Sequence, residues 1–149
     1  MSPAPPTDDF AWAKPPALPF HGVVPVRIDH AGQARLPALG ELTNHVGTVA
    51  AGAIFSLADV ASGTLLASVL DEGQQGVVAS ASVRFRRLAR GELVAVAVLG
   101  DRPAGAVPGG ARPRFDVAVT VADDTGVVVA EASFSWSVLA APDSPHSRR

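Results

Sequence analysis

The chain has 149 residues, of which 48% are hydrophobic and only 17% are charged. This balance excludes a disordered chain, which needs low hydrophobicity and high charge. The net charge of −2 excludes a strongly electrostatic nucleic-acid binder, because such a domain is usually basic. The length fits one domain, and the excess of apolar over charged residues favours a homodimer or homotetramer, since subunit interfaces are buried too.

Three features that the sequence lacks narrow the class of protein further. The chain has no cysteine, which excludes disulfides, thiolate metal sites and a cysteine nucleophile. Residues 1–9 have neither a basic start nor an apolar run, so a secretory signal is not expected. The longest apolar stretch, residues 50–70, is interrupted by Asp59, whereas a transmembrane helix is more uniformly apolar over about 20 residues. We therefore predict a cytoplasmic protein without a membrane span.

Composition divides the chain into three segments. Residues 1–19 hold much of the proline and lack periodicity, which predicts a flexible N-terminal arm. Residues 20–140 are expected to form the domain, and residues 141–149 a polar tail. The domain begins with predicted strands at 23–28 and 33–36 around a turn at 29–32, followed by a loop at 37–47.

The strongest helical pattern spans residues 51–70, which contain no proline and are apolar nearly all round, as in a buried helix. A stripe of small and polar residues breaks this pattern at spacings of three or four, so its members share one side of the helix. The stripe consists of Gly52, Ser56, Asp59, Ser62 and Gly63.

After Gly76 the apolar period changes to two, which predicts strands. In the first strand after the helix, residues 77–85, alternation places five residues on one face: Val77, Ala79, Ala81, Val83 and Phe85. Further strands are predicted at 92–99, 115–122 and 127–139, with a Gly/Pro-rich loop at 100–112 and a hairpin turn at 123–126. The predicted fold is α+β, one long helix on a curved antiparallel sheet, because a parallel sheet needs more crossover helices.

Asp59 is the candidate catalytic residue, because burying a carboxylate on a helix costs solvation free energy unless the group is paired or hydrogen-bonded. A carboxylate in such surroundings suits the role of a general base. The alternative is a structural residue that faces solvent or bonds Ser56 or Ser62. The segment before the helix, Asn44 to Gly52, leaves backbone N–H groups unpaired at the helix N-terminus, where the helix dipole favours negative charge. These groups form either an oxyanion hole for a carbonyl oxygen or an ordinary helix cap.

The segment Asn44 to Asp59, NHVGTVAAGAIFSLAD, resembles the hotdog-fold acyl-CoA thioesterases of the phenylacetate-pathway type. These carry an asparagine, a His-Gly-Gly-like segment and Phe-Ser/Thr-Leu-Ala-Asp on the central helix. Residues 85–91 are similar to the family's strand end and turn, and the weaker resemblance covers residues 23–139. It implies a hotdog fold whose active site takes residues from both subunits of a dimer.

The resemblance also implies roles for individual residues. Asp59 matches the catalytic general base or nucleophile, and Asn44 matches the asparagine that positions water or the thioester. The N–H of Ala51 or Gly52 would polarise the thioester carbonyl. The further candidates for substrate contact are Thr48, Ser56 and Ser80.

The chain departs from that pattern at two places, which indicates a distinct branch. Ala50-Ala51-Gly52 replaces His-Gly-Gly, which removes a side chain but keeps the backbone donors. Some relatives place Ser or Thr early in the strand after the helix, where Val78 aligns here and Ser80 follows two residues later.

Arg84, Arg86, Arg87 and Arg90 cluster at one predicted strand end, where guanidinium groups suit the phosphates of coenzyme A. The alternative for each is a solvated face with ion pairs. The four histidines lie far apart without metal-ligand spacing, so neither a metal nor a cofactor is expected.

The preferred function is hydrolysis of an acyl-CoA thioester by water that Asp59 activates. The rival is a non-catalytic hotdog module that binds acyl-CoA or a related lipid. A dehydratase is a third option, disfavoured because no histidine–carboxylate pair is apparent.

Overall fold

The computed structural model describes residue 20 and residues 23–100 and 113–139. The predicted arm at 1–19, nearly all of the loop predicted at 100–112 and the tail at 141–149 lie outside the described residues. The described elements are, in chain order, β1 (Arg27–His30), β2 (Gln33–Leu36), a 3-10 turn (Gly40–Leu42), α1 (Ala51–Ala67), β3 (Gln75–Phe85), β4 (Leu93–Leu99), β5 (Arg114–Asp123) and β6 (Val128–Leu139).

The six strands form one antiparallel sheet in the order β1-β2-β4-β5-β6-β3, and α1 packs against one face of it. This confirms the predicted α+β architecture. Strand β3 lies at an edge, and within the described part of the chain no strand pairs with its outer side.

The core lies between α1 and the inner face of the sheet. Strand β5 alternates between buried and exposed residues over most of its length, as expected of a sheet covered on one face only. Leu57 and Leu66 of α1 are fully covered, as is Phe134 of β6. The helix is therefore held by burial of apolar surface, which contributes about 25 cal/mol per Å².

Two predicted boundaries are wrong for local reasons. Strand β1 begins at Arg27 rather than Val23, because Pro25 has no N–H to donate to a ladder and the N–H of Val23 bonds the carbonyl of Phe20 in a turn. Helix α1 ends at Ala67 rather than Leu70. The hydroxyl of Ser68 donates to the carbonyl of Leu65, and the chain then turns.

Strand β3 contains a β-bulge that the predicted alternation missed. Val78 pairs with Trp136 and Ser80 with Ser135, so Ala79 is the extra residue between them. Before the bulge, Val78 rather than Val77 therefore faces the helix. After it, the helix-facing residues are Ala81, Val83 and Phe85, as predicted.

Candidate active site

Asp59 lies on the side of α1 that faces β6. The residues one turn before and one turn after it both contact that strand. The ring of Phe55 is 5.6 Å from that of Phe134, and a Cβ at Gly63 would lie 3.3 Å from Cη2 of Trp136. Asp59 is half-buried between these contacts, and it is the only charged residue of α1.

The two serines beside Asp59 use their hydroxyl protons on the helix backbone. Ser56 donates to the carbonyl of Gly52 at 2.8 Å, and Ser62 donates to the backbone carbonyl of Asp59 at 2.9 Å. Each hydroxyl has one proton. Neither serine therefore donates to the Asp59 carboxylate, and Ser56 is a buried packing residue of the helix.

The N-terminus of α1 is open. Its N-cap residue, Ala50, has no side-chain oxygen that could accept a hydrogen bond. The backbone carbonyl of Ala50 accepts from the N–H groups of Ala53 and Ile54. Within the described residues, no acceptor bonds the N–H groups of Ala51 and Gly52, and both residues are exposed. A Cβ at Gly52 would meet nothing within 4 Å, so an oxygen atom can approach this end of the helix.

Asn44 organises the loop that leads into α1. Its Oδ1 accepts from the N–H groups of Val46 and Thr48, each at 3.1 Å, while its Nδ2 donates to Oγ1 of Thr48 at 2.9 Å. Thr48 is buried, so its hydroxyl serves this loop instead of facing solvent. One hydrogen of Nδ2 remains for a ligand.

One chain does not bring these groups together. Asp59 follows Gly52 by seven residues, which at about 1.5 Å per residue places them about 10 Å apart along the axis. A general base must lie within about 3 Å of the proton that it takes, or act through one water. The Asn44–Gly52 segment and Asp59 of one chain therefore lie about two turns of α1 apart, a span that only a substrate and a water together could bridge.

The four arginines do not form one cluster. Arg86 bonds Glu131 through both Nε and Nη2, at 2.9 and 2.7 Å, so its guanidinium is paired. Arg84 lies opposite Glu131 on the face of β3 away from the helix. Arg87 is exposed. Arg90 donates to the carbonyl of Gly47 at 3.3 Å.

Arg90 also lines the cavity beside the Asn44 loop, which has a volume of about 260 Å³. The other walls of this cavity come from residues 37–40, Leu42, Thr43, Gly47, Val49 and Gly91. Arg90 is therefore the one of the four candidate arginines that lines this cavity and bonds the loop that leads into α1.

Ser80 does not join the candidate site on its own chain. It pairs with Ser135, which alternates with the helix-facing Phe134 and Trp136. Cross-strand partners lie on the same face, so Ser80 lies on the face of the sheet away from α1. Phe134 and Trp136 were not predicted as site residues, although their spacing of two in the last strand placed both on one face.

These observations define a single helix cradled by an antiparallel sheet, the hotdog fold. It is the fold of the BH2602 protein of Bacillus halodurans, solved with CoA, at 25% identity over 83% of this chain and 77% of that chain (TM-score 0.69). It is also that of a phenylacetic acid degradation-related protein of Ralstonia eutropha, at 22% identity over 83% and 92% of the two chains (TM-score 0.67). The thioesterase HI1161 of Haemophilus influenzae shares it at 15% identity over 85% and 87% (TM-score 0.70).

The chain itself belongs to the DUF4442 family, described as a domain of unknown function, whose model matches residues 16–138. No curated protein matches the chain. The predicted hotdog fold is confirmed by these comparisons, whereas they do not test the roles predicted for individual residues.

Two further findings concern groups outside this site. No helix among the described residues has the length and apolar character needed to cross a bilayer. In the same part of the chain, no three histidine, aspartate or glutamate side chains gather where they could hold a metal ion.

Proposed function

We propose that this protein hydrolyses acyl-CoA thioesters at sites shared between two subunits. Each site would combine Asp59 of one subunit with the Asn44 loop and the N-terminus of α1 from the other. The observation that carries the proposal is the half-buried carboxylate of Asp59, the one charged side chain that α1 carries. The likeness to thioesterases and to a CoA-bound protein of the same fold supports the choice of substrate.

The roles follow from the chemistry of each group. Asp59 takes a proton from water, or attacks the thioester itself, and the carbonyl carbon becomes tetrahedral. The N–H groups of Ala51 and Gly52 stabilise the oxyanion, a contribution of about 10²–10³-fold per donor. The carbon–sulfur bond then breaks, and the thiolate of coenzyme A leaves and takes up a proton. Where water was the nucleophile the product is the free acid, and where Asp59 was the nucleophile a mixed anhydride on Asp59 remains, which water then hydrolyses to the acid.

The sharing of the site is supported by the separation within one chain and by an unpartnered surface. Phe55, Val78 and Phe85 are 37, 38 and 51% exposed, and Val78 and Phe85 lie on the helix-facing side of the unpaired edge strand β3. A second copy that pairs antiparallel along β3 would cover these side chains. Under two-fold symmetry its helix would run in the opposite direction, with its N-terminus toward the first copy's Asp59.

A non-catalytic acyl-CoA-binding module is the second candidate, and the Asn44 loop favours it. The Oδ1 of Asn44 is occupied by two N–H groups of its own loop, and Ala50 stands where the resembling family has histidine. A site with fewer free side chains would still bind a carbonyl oxygen at the helix N-terminus.

Thiol release from a panel of acyl-CoAs tests the proposal, with Asp59→Asn as the decisive variant. Asparagine keeps the size and polarity but cannot take a proton, so we expect hydrolysis to fall by about 10²–10⁴-fold while the fold persists. Asp71→Asn, an exposed aspartate beyond the end of α1, is the matched control.

Two outcomes would contradict the mechanism. If Asp59→Asn keeps most of the wild-type rate, Asp59 is structural. If no acyl-CoA is hydrolysed but acyl-CoAs still raise the melting temperature, the chain is a binding module.

A further inference from the structure

The indole N–H of Trp136 is buried without a hydrogen-bond partner. Trp136 is only 8% exposed, and among the described residues its Nε1 is the one buried side-chain nitrogen or oxygen that lacks a partner. A buried tryptophan N–H usually finds an acceptor, and an exception in a native fold calls for an explanation. Packing of the ring in the core does not supply one.

Contacts of the ring show which way the N–H edge points. A Cβ at Gly76 would lie 3.2 Å from Cε3, and a Cβ at Gly63 would lie 3.3 Å from Cη2 and 3.6 Å from Cζ2. In an indole, Nε1 and Cζ2 share one long edge, while Cε3 belongs to the opposite edge. The Cη2–Cζ2 corner of the ring therefore lies against α1 at Gly63, and the N–H edge points away from Gly76.

This direction places the donor on the side of α1 that carries Asp59. Gly63 is one turn beyond Asp59, about 6 Å along the axis of α1. Side chains of a helix lean toward its N-terminus, and Gly63 has none, so the ring lies over the turn between Asp59 and Gly63. The rings of Phe55 and Phe134 stand 5.6 Å apart one turn before Asp59.

We propose that Trp136 determines acyl specificity by donating its N–H to an oxygen on the acyl group. This inference rests on the proposed function, which places the thioester carbonyl at Asp59. The preferred substrates are acyl-CoAs that carry a hydroxyl or keto oxygen a short distance beyond that carbonyl. An unsubstituted acyl group fills the same space but leaves the donor unpaired, and sites of this kind discriminate strongly between the two.

Access to the donor requires side chains on this face of α1 to move. Phe55 is 37% exposed, so its ring can swing outward when an acyl group enters between α1 and β6. Changes of side-chain rotamer of this kind are common on binding.

The first test compares kcat/KM for hexanoyl-CoA with that for hexanoyl-CoAs bearing a hydroxyl or oxo group at successive carbons. We expect kcat/KM for one oxygen position to exceed that for hexanoyl-CoA about tenfold or more. In Trp136→Phe this ratio should fall toward one. Replacing Trp136 by benzothienylalanine, which has the same shape with sulfur in place of N–H, separates the donor from the packing. No preference in the wild-type protein, or the same preference in both variants, overturns the proposal.

A second readout does not depend on catalysis. Trp12→Phe leaves Trp136 as the single tryptophan, so one indole N–H resonance reports on it. We expect the favoured oxygen-bearing acyl-CoA to shift this resonance downfield and hexanoyl-CoA to leave it nearly in place. If no thioester is hydrolysed but the shift occurs, the proposed function fails and the role of Trp136 stands. Equal responses to both ligands overturn that role.

Discussion

At the scale of single residues, the fold separates side chains that the sequence placed together. Asn44 and Asp59 belong to one short motif, yet about 10 Å of helix lies between Asp59 and the loop that Asn44 organises. Ser56 and Thr48 are buried, and their hydroxyl groups bond to their own helix and loop.

The arginines are distinguished by their partners, which leads to a prediction about coenzyme A. Arg90 lines the cavity beside the Asn44 loop, so Arg90→Ala should raise KM about tenfold and leave kcat nearly unchanged. Remote phosphate contacts bind the ground state and the transition state alike. The effect should shrink as ionic strength rises.

Steady-state kinetics at low and high salt measure this change in KM. Arg84→Ala, on the face of the sheet away from the helix, is the matched control. An unchanged KM for Arg90→Ala at low ionic strength would return Arg90 to an ordinary solvated surface.

At the scale of elements, side chains at turns and close packing at glycines determine how the strands are positioned. The predicted hairpin turn between β5 and β6 is confirmed, and Asp123 organises it. Its Oδ1 accepts from the N–H groups of Thr125 and Val127, each at 3.0 Å, and from the Thr125 hydroxyl at 2.6 Å. The Thr125 hydroxyl is the main cause that lowers the pKa of Asp123 below its ordinary value of 3.8.

A pH dependence of stability follows from that shift. Because the pKa of Asp123 is lower in the folded state, its carboxylate stabilises the fold at and above the ordinary value and loses this effect as the pH falls through the folded value. Asp123→Asn keeps an oxygen acceptor without the charge, so it should be less stable than wild type near neutral pH. The difference should shrink below pH 3.8.

Urea unfolding at the two pH values measures this difference. The control is Asp124→Asn, whose side chain makes none of the three bonds at the turn. A gap between wild type and Asp123→Asn that does not change with pH would contradict the assigned role of the charge.

Gly76 gives a second prediction at this scale. A Cβ there would overlap Cδ2 of the buried Leu66 and lie 3.2 Å from Cε3 of Trp136, and both side chains are hemmed in by the core. We expect Gly76→Ala to lower the free energy of unfolding by about 1–3 kcal/mol. Gly40→Ala, where a Cβ meets nothing within 4 Å, should change it by no more than about 0.5 kcal/mol. Equal stability of the two variants in urea would show that the core at Gly76 relaxes freely.

At the scale of the whole molecule, the described residues leave an edge strand unpaired and two aromatic side chains uncovered on the same side. Strand β3 has an unpaired edge within the described residues, and a long edge strand is a template for another strand unless something covers it. The exposed aromatic side chains of Phe55 and Phe85 lie on the helix-facing side of the same region. A second copy of the chain is the partner that would satisfy both features.

Subunit mixing tests whether the site is shared. Asn44→Ala and Asp59→Ala are each expected to be inactive. After the two variants exchange subunits through unfolding and refolding, about half of the dimers are mixed, and about a quarter of all sites hold both native residues. We expect activity near a quarter of wild type. No recovery, with exchange verified by mass, would place both residues in one chain's site, and Asp59→Ala mixed with Asp59→Asn is the control that should stay inactive.

The sequence by itself determined the order of the elements, because each rests on a local pattern. The period of two predicted the strands, the long proline-free apolar run predicted α1, and Asp123 with Gly126 marked the hairpin. The same patterns could not find the bulge at Ala79, because one extra residue is imposed by pairing with β6 and leaves no local signal.

The tertiary structure alone decided which functional groups meet. The motif from Asn44 to Asp59 identified the residues that the resembling family uses, yet their separation along α1 appears only when the helix is built. The orphaned N–H of Trp136 likewise depends on contacts from Gly63 and Gly76, which lie far from it in the sequence. Hydrophobic periodicity is a property of neighbours along the chain, whereas a site depends on distances between elements that only packing sets.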